Sequence, residues 1–159
     1  MFPGLLQTTD YARMIMYNTG LWDDEQIERL AQVRSSRLDN IGQRRLTCVL
    51  DEAVVRKVAG KREILQAQLD SVLVLVEQGR VRVLAIPNHA PLHPNPPSPF
   101  RVMVLGDGRL IAHEEYWTGN NITTGPRVNQ FVTLFGNLQS EALNLQASVQ
   151  LIEHVRKEV

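Results

Sequence analysis

Two short apolar segments, RLTCVL at residues 45–50 and VRVLAI at residues 81–86, flank a longer stretch with a helical period. In residues 61–78 the apolar side chains recur three and four positions apart, which places them on one face of a helix. They are Ile64, Leu65, Leu69, Val72, Leu73 and Val76. Gly79 follows, and glycine is common at the C-terminus of a helix. A strand, a helix and a second strand in this order predict a βαβ unit with two parallel strands.

The segments on either side extend this unit into a mixed α/β fold. We predict N-terminal helices within residues 8–41, an α/β core at 45–116 and C-terminal helices within 126–157. A chain of 159 residues is close to the size of one ordinary domain. We therefore expect a single domain over residues 1–159.

The second half of the core predicts a β-hairpin. Residues 100–105 and 110–116 are strand-like, and the turn Gly106-Asp107-Gly108-Arg109 separates them. We expect the hairpin and the βαβ strands to form one sheet. The proline-rich residues 87–99 and the polar residues 117–125 are predicted as loops. Among the expected helix caps, Ser140 is predicted to begin the last helix.

The composition narrows the functional classes. Lysine and arginine number 17, as do aspartate and glutamate, so the formal net charge is zero. A free-standing nucleic-acid-binding protein usually carries a basic surplus, which this chain lacks. The N-terminus does not have the pattern of a signal peptide, and the single Cys48 lies in an apolar run, which indicates a buried thiol in a reducing compartment. We expect a cytoplasmic protein without a membrane span.

The motifs of enzymes are missing from the sequence. It contains no Gly-x-Ser-x-Gly nucleophile elbow and no glycine-rich phosphate loop. A metal site built from His89, His93 and His113 is geometrically feasible, but solvated histidines are the more common outcome for such a loop. We therefore predict no catalytic residues, no metal and no cofactor.

The best candidate for a ligand pocket lies at the ends of the two parallel strands. Ligands of parallel sheets bind beyond the carboxyl ends of the strands. Seven residues are predicted to line this edge: Asp51, Glu52, Arg56, Asn88, His89, His113 and Trp117. The alternative for Asp51 is that its side chain caps the short helix that begins at Glu52.

Several motifs occur in the order expected for a known family. They are PGLLQT at residues 3–8 with DYAR at 10–13, VRSSR at 33–37, VLDEA at 49–53 with Arg56, QL at 68–69, and VRVL at 81–84 with Pro87. This series resembles the C-terminal effector domain of actinobacterial Xre-type helix-turn-helix transcriptional regulators. The proline-rich segment departs from the family, which usually has glycines there.

The resemblance implies a non-catalytic regulatory domain that senses a ligand or docks a protein. It also implies that DNA is bound only through an N-terminal domain absent from this chain. The alternatives are a stand-alone small-molecule binding module and, less favoured, a hydrolase or metalloenzyme. Regulators of two-fold sites are commonly dimers, so we expect a homodimer or another regulatory protein as partner, with residues 131–151 as the candidate interface. Ordinary core packing is the alternative for that region.

Overall fold

The computed structural model describes residues 1–39, 42, 44–90, 94, 96, 98–116 and 119–159. These residues form two compact units. The first unit consists of Met1–Asn88 and Leu143–Val159, and the second of His89–Ala142. The helices are α1 Thr9–Tyr17, α2 Asp24–Ser36, α3 Glu52–Arg56, α4 Arg62–Glu77, α5 Val128–Glu141 and α6 Leu145–Glu158. The strands are β1 Leu46–Asp51, β2 Val81–Ile86, β3 Phe100–Val104, β4 Leu110–Tyr116 and β5 Gly119–Thr123.

The first unit contains the predicted βαβ unit. β1 and β2 pair in parallel, with Leu46 opposite Val81 and Asp51 opposite Ile86. α4 connects the two strands, and both α4 and β2 contact α6. The mixed α/β class and the parallel pair are therefore confirmed.

Side-chain hydrogen bonds to backbone N–H groups begin the N-terminal helices. Thr8 Oγ1 accepts a hydrogen bond from the Tyr11 backbone N–H, and Asp23 and Gln26 form a capping box at α2. Asp51 occupies the position before α3, but its side chain makes no capping hydrogen bond. The alternative in which Asp51 caps this helix through its side chain is therefore wrong.

The free edge of β2 is closed by the segment that begins α6. The Leu143 backbone N–H donates to the Ala85 carbonyl at 2.8 Å. The Ala85 N–H in turn donates to Ser148 Oγ at 3.0 Å, and Ser148 is fully buried. Buried backbone groups must be paired. These two contacts supply the hydrogen bonds that a neighbouring strand would otherwise make to Ala85.

The core of the first unit joins the two ends of the chain. Its buried side chains come from the N-terminal segment, α1, β1, α3, α4, β2 and α6. They are Phe2, Leu6, Tyr11, Leu50, Val55, Leu65, Leu69, Val72, Val81, Val83, Ile152 and Val155. Within the expected interface at residues 131–151, two residues of α6 contribute to the interior of this unit: Ser148 is fully buried and Leu151 packs against the core.

The second unit has its own antiparallel sheet in the order β3-β4-β5. The predicted hairpin is present as β3 and β4, and α5 contacts both strands. The expectation of one sheet is wrong for the described residues, which form a two-stranded parallel sheet and a separate three-stranded antiparallel sheet. The hairpin takes its third strand from β5, in residues predicted as a polar loop.

Two further details differ from the sequence predictions. Asn144, not Ser140, caps α6, because its Oδ1 accepts the Ala147 N–H at 2.9 Å. Ser140 lies inside α5 and donates to the Asn137 carbonyl. In the part of the chain that the structure describes, no helix has the length and apolar character needed to cross a membrane.

Candidate functional site

The strand-end pocket predicted from the sequence is occupied by a closed set of polar contacts. Glu52 Oε1 accepts from Arg56 Nε at 2.6 Å, and Glu52 Oε2 accepts from the Asn88 backbone N–H at 3.0 Å. Arg56 Nη1 also donates to Glu158 Oε2 on α6 at 2.8 Å. We call Glu52, Arg56, Asn88 and Glu158 the strand-end cluster.

Arg56 is paired with both carboxylates of the strand-end cluster, which therefore carries a net charge of −1. The carboxylates of Glu52 and Glu158 raise the pKa of the Arg56 guanidinium, chiefly through hydrogen bonds. The Glu52 side chain is only 12% exposed, whereas that of Arg56 is 37% exposed. Both carboxylate oxygens of Glu52 are already hydrogen-bonded. The cluster is therefore suited to linking α3, the end of β2 and α6 rather than to binding a ligand.

The remaining predicted site residues are distributed differently. Asp51 ends β1 beside this cluster, but His89 and His113 belong to the second unit. His113 lies on β4, opposite Arg101 of β3 and Ile122 of β5. Trp117 and His93 lie outside the described residues. Among the described residues, no group of three His, Cys, Asp or Glu side chains is arranged to hold a metal ion.

A second polar site lies at the N-terminal segment, residues 2–9. The side chain of Gln68 on α4 is fully buried there. Its Nε2 donates to the Leu6 carbonyl at 2.6 Å, and its Oε1 accepts from the Thr8 N–H at 2.8 Å. A single amide therefore satisfies a backbone acceptor and a backbone donor of this segment.

Gln7 makes the complementary contact from the segment itself. Its Nε2 donates to the Phe2 carbonyl at 2.7 Å, and its Oε1 accepts from Arg34 Nη1 of α2 at 3.2 Å. Gln7 is also buried, at 4% exposure. The segment is thus held by side chains from both α2 and α4.

A cavity of about 320 Å³ opens beside this segment. Its polar lining comes from three parts of the first unit: the N-terminal segment, the end of α2 with Asp39, and α4 with Arg80. The lining residues are Leu5, Leu6, Gln7, Thr8, Thr9, Ser35, Leu38, Asp39, Ser71, Leu75 and Arg80. The volume lies at the lower end of the range for small-molecule sites.

The cavity combines hydroxyl groups, one cation and one anion with leucine side chains. Arg80 Nη2 donates to the Leu38 carbonyl at 3.1 Å, and Arg80 Nη1 lies 3.6 Å from Asp39 Oδ1. Ser35 Oγ accepts from Thr9 Oγ1 at 3.0 Å and donates to the Gln32 carbonyl. No histidine is among the lining residues, so the hydroxyls have no imidazole base beside them. The chemistry suits hydrogen bonding of a small amphipathic molecule.

The sequence predictions missed this site, although one signal was available. Gln68 falls on the apolar stripe of α4, three residues after Leu65 and four before Val72. A polar residue at a core position requires buried partners. The partners themselves are backbone groups of residues 6 and 8, which leave no pattern in the side-chain sequence.

The comparison with protein families covers the cavity and, except for Glu158, the strand-end cluster. A family model described as "Domain of unknown function (DUF5753)" matches residues 1–154. The chain belongs to this family. The match to the DUF5753 family spans nearly the whole chain, including all of the second unit, the first unit up to residue 154 and every residue that lines the cavity. No curated protein and no solved structure matches the chain.

Proposed function

We propose that this chain is a non-catalytic regulatory domain of a cytoplasmic transcriptional regulator, and that it senses a small molecule in the cavity beside residues 2–9. The observation that carries the proposal is the shared wall of that cavity. Leu5, Leu6, Gln7, Thr8 and Thr9 line it, and the same segment is held by Gln68 and Arg34. The resemblance of PGLLQT and the later motifs to Xre-type effector domains supports the regulatory role.

The part of the cavity lined by residues 5–9 can couple ligand binding to the conformation of the N-terminal segment. A ligand in the cavity contacts the N-terminal segment and the two helices that fix it. Ligands shift a conformational equilibrium only through contacts that differ between its states. A ligand can form hydrogen bonds to Gln7 or Thr9 in one arrangement of this segment and not in another. Binding of the ligand is thereby coupled to the conformation of residues 2–9.

The lining also defines the ligand class. Arg80 and Asp39 are already 3.6 Å apart, so a ligand with a single strong charge would repel one of them. Hydroxyl and amide groups favour hydrogen-bonding heads, and the leucines favour an apolar body. We expect a neutral or zwitterionic amphipathic molecule small enough for about 320 Å³.

A thermal-shift screen of neutral and zwitterionic metabolites tests the proposal. A compound at 100 times its dissociation constant stabilises the folded state by about 2.7 kcal/mol. The matched variants are Ser35→Trp, which fills the cavity, and Ser36→Trp, which adds the same side chain at the next, exposed position. The stabilisation should vanish in the first variant and persist in the second.

A third variant separates the two candidate sites. Glu52→Gln removes the charge at the centre of the strand-end cluster without touching the cavity. A compound that stabilises Ser35→Trp as well as wild type, but not Glu52→Gln, would move the ligand to the strand ends. If no compound stabilises the wild type more than Ser35→Trp, the sensing proposal fails.

The regulatory part is tested with DNA. We expect this chain alone to show no sequence-specific binding to DNA at physiological salt. Tight, specific binding by these residues would contradict the assignment as an effector domain. Metal analysis of untagged protein purified without chelator tests the metalloenzyme alternative, and a stoichiometric bound metal would favour it.

A further inference from the structure

An exposed apolar patch lies at two connectors of the first unit. Tyr17, Leu21 and Trp22, at the end of α1 and before α2, are 69%, 56% and 37% exposed. Val58, between α3 and α4, is 43% exposed. Tyrosine and tryptophan are enriched at the centres of protein interfaces. We call these four residues the connector patch.

The two connectors that carry the connector patch are in direct contact. Asn18 Nδ2 donates to the Ala59 carbonyl at 2.8 Å. At Gly60 a Cβ atom would clash with the Met14 side chain, so the backbone after Val58 runs against the side of α1. The α1–α2 connector, which carries Leu21 and Trp22, and the α3–α4 connector, which carries Val58, therefore lie against each other.

Opposite charges flank the connector patch. Asp23, Asp24 and Glu25 follow Trp22 on one side and are exposed. Lys57, Lys61 and Arg62 flank Val58 on the other side and are also exposed. In the described part of the chain, these six side chains take no part in the intramolecular salt bridges. Asp23 Oδ1 also accepts the Gln26 N–H at the start of α2, and the other five charged side chains can face another surface.

We propose that the connector patch is the interface of a symmetric homodimer. A two-fold axis through the patch places the acidic side of one copy against the basic side of the other, and the reverse. The same rotation sets Tyr17 and Leu21 of one copy against the apolar residues of its partner. A surface with apolar residues between opposite charges is therefore complementary to itself. This charge pattern favours a second copy of the chain as the partner.

Sedimentation velocity over a range of concentrations tests the apolar part. The wild type should dimerise, and the double variant Tyr17→Ser/Leu21→Ser should dimerise at least about tenfold more weakly. Val104→Ser/Ile122→Ser is the control, because those side chains are 63% and 58% exposed on the other unit. A wild type that stays monomeric, or a dimer that persists in the patch variant, overturns the proposal.

Charge reversal tests the two-fold arrangement. Asp24→Lys/Glu25→Lys makes both sides basic, and Lys61→Glu/Arg62→Glu makes both sides acidic. Each variant alone should be monomeric at low salt, whereas an equimolar mixture should associate as a heterodimer that weakens as salt is raised. Circular dichroism checks that each variant is folded. A mixture of folded variants that does not associate overturns the two-fold pairing.

Discussion

The side chain of Gln68 holds the backbone of Leu6 with a hydrogen bond of 2.6 Å from Nε2 to the carbonyl oxygen. The two residues are 62 positions apart in sequence, and both are buried. Because the other end of the same amide accepts the Thr8 N–H, the contact fixes the N-terminal segment in both position and direction.

Replacing Gln68 by Met should strongly destabilise the protein. Methionine keeps the approximate volume but leaves the Leu6 carbonyl and the Thr8 N–H without their partner. An unsatisfied buried polar group costs about 1–3 kcal/mol, so we expect a loss of about 3 kcal/mol in the free energy of unfolding, measured in urea. Gln66→Met, at an exposed position of the same helix, is the control. Equal losses in the two variants would show that the amide contacts contribute little.

Ser148→Ala should expose the edge of β2. Without the hydroxyl, the Ala85 N–H loses its buried acceptor. We expect a loss of about 2 kcal/mol and much faster hydrogen exchange at the Ala85 amide. Ser140→Ala, on the exposed surface of α5, should leave both unchanged. Unaltered protection of Ala85 in Ser148→Ala would mean that another group satisfies this edge.

Cys48 should make stability fall at alkaline pH. Burial raises the pKa of its thiol from 9.0 to about 11. The folded state thus keeps the neutral thiol at pH values where the unfolded chain has ionised. The stabilisation is fully present below pH 9, falls by at most about 1.4 kcal/mol per pH unit, and is lost as pH approaches 11.

Cys48→Ala provides the control for this pH dependence. The variant should be less stable than the wild type near neutral pH because it loses packing, but its stability should decline less between pH 9 and 11. The measurement is urea unfolding at several pH values. Parallel profiles for the two proteins would contradict a raised thiol pKa.

Arg56→Met should destabilise the first unit more than Glu158→Gln does. Removing Arg56 leaves the Glu52 carboxylate, which is only 12% exposed, without its cation. Removing the Glu158 charge leaves Arg56 paired with Glu52. We expect about 1–2 kcal/mol for the first variant and less than half of that for the second. The reverse order in urea unfolding would show that Arg56 is anchored mainly by α6.

The sequence is informative where periodicity and burial agree. The βαβ unit was predictable because β1, α4 and β2 each carry a clear pattern, and the short turn at Gly79 leaves little freedom in connecting them. The hairpin was predictable from its turn, in which Gly108 adopts a φ of 83° that favours glycine.

The misplaced elements depend on contacts between distant residues. β5 is mostly polar and exposed, and it becomes a strand because β4 supplies its hydrogen bonds. Ser140 and Asn144 are both good capping residues, and the choice depends on the extended backbone at Ala142. The cavity could not be predicted for the same reason, since it is lined by residues from 5 to 80 that only the folded chain brings together.

The discontinuous first unit has a consequence for synthesis on the ribosome. β2 is complete in the nascent chain once Ile86 has been made, but Ser148 follows only 62 residues later. At about 5–20 residues per second, this interval lasts roughly 3–12 s. Residues 89–142 are made during that time, whereas the first unit is complete only after α6 has been made. Its core closes last, and until then the nascent chain carries an open strand edge that chaperones can bind.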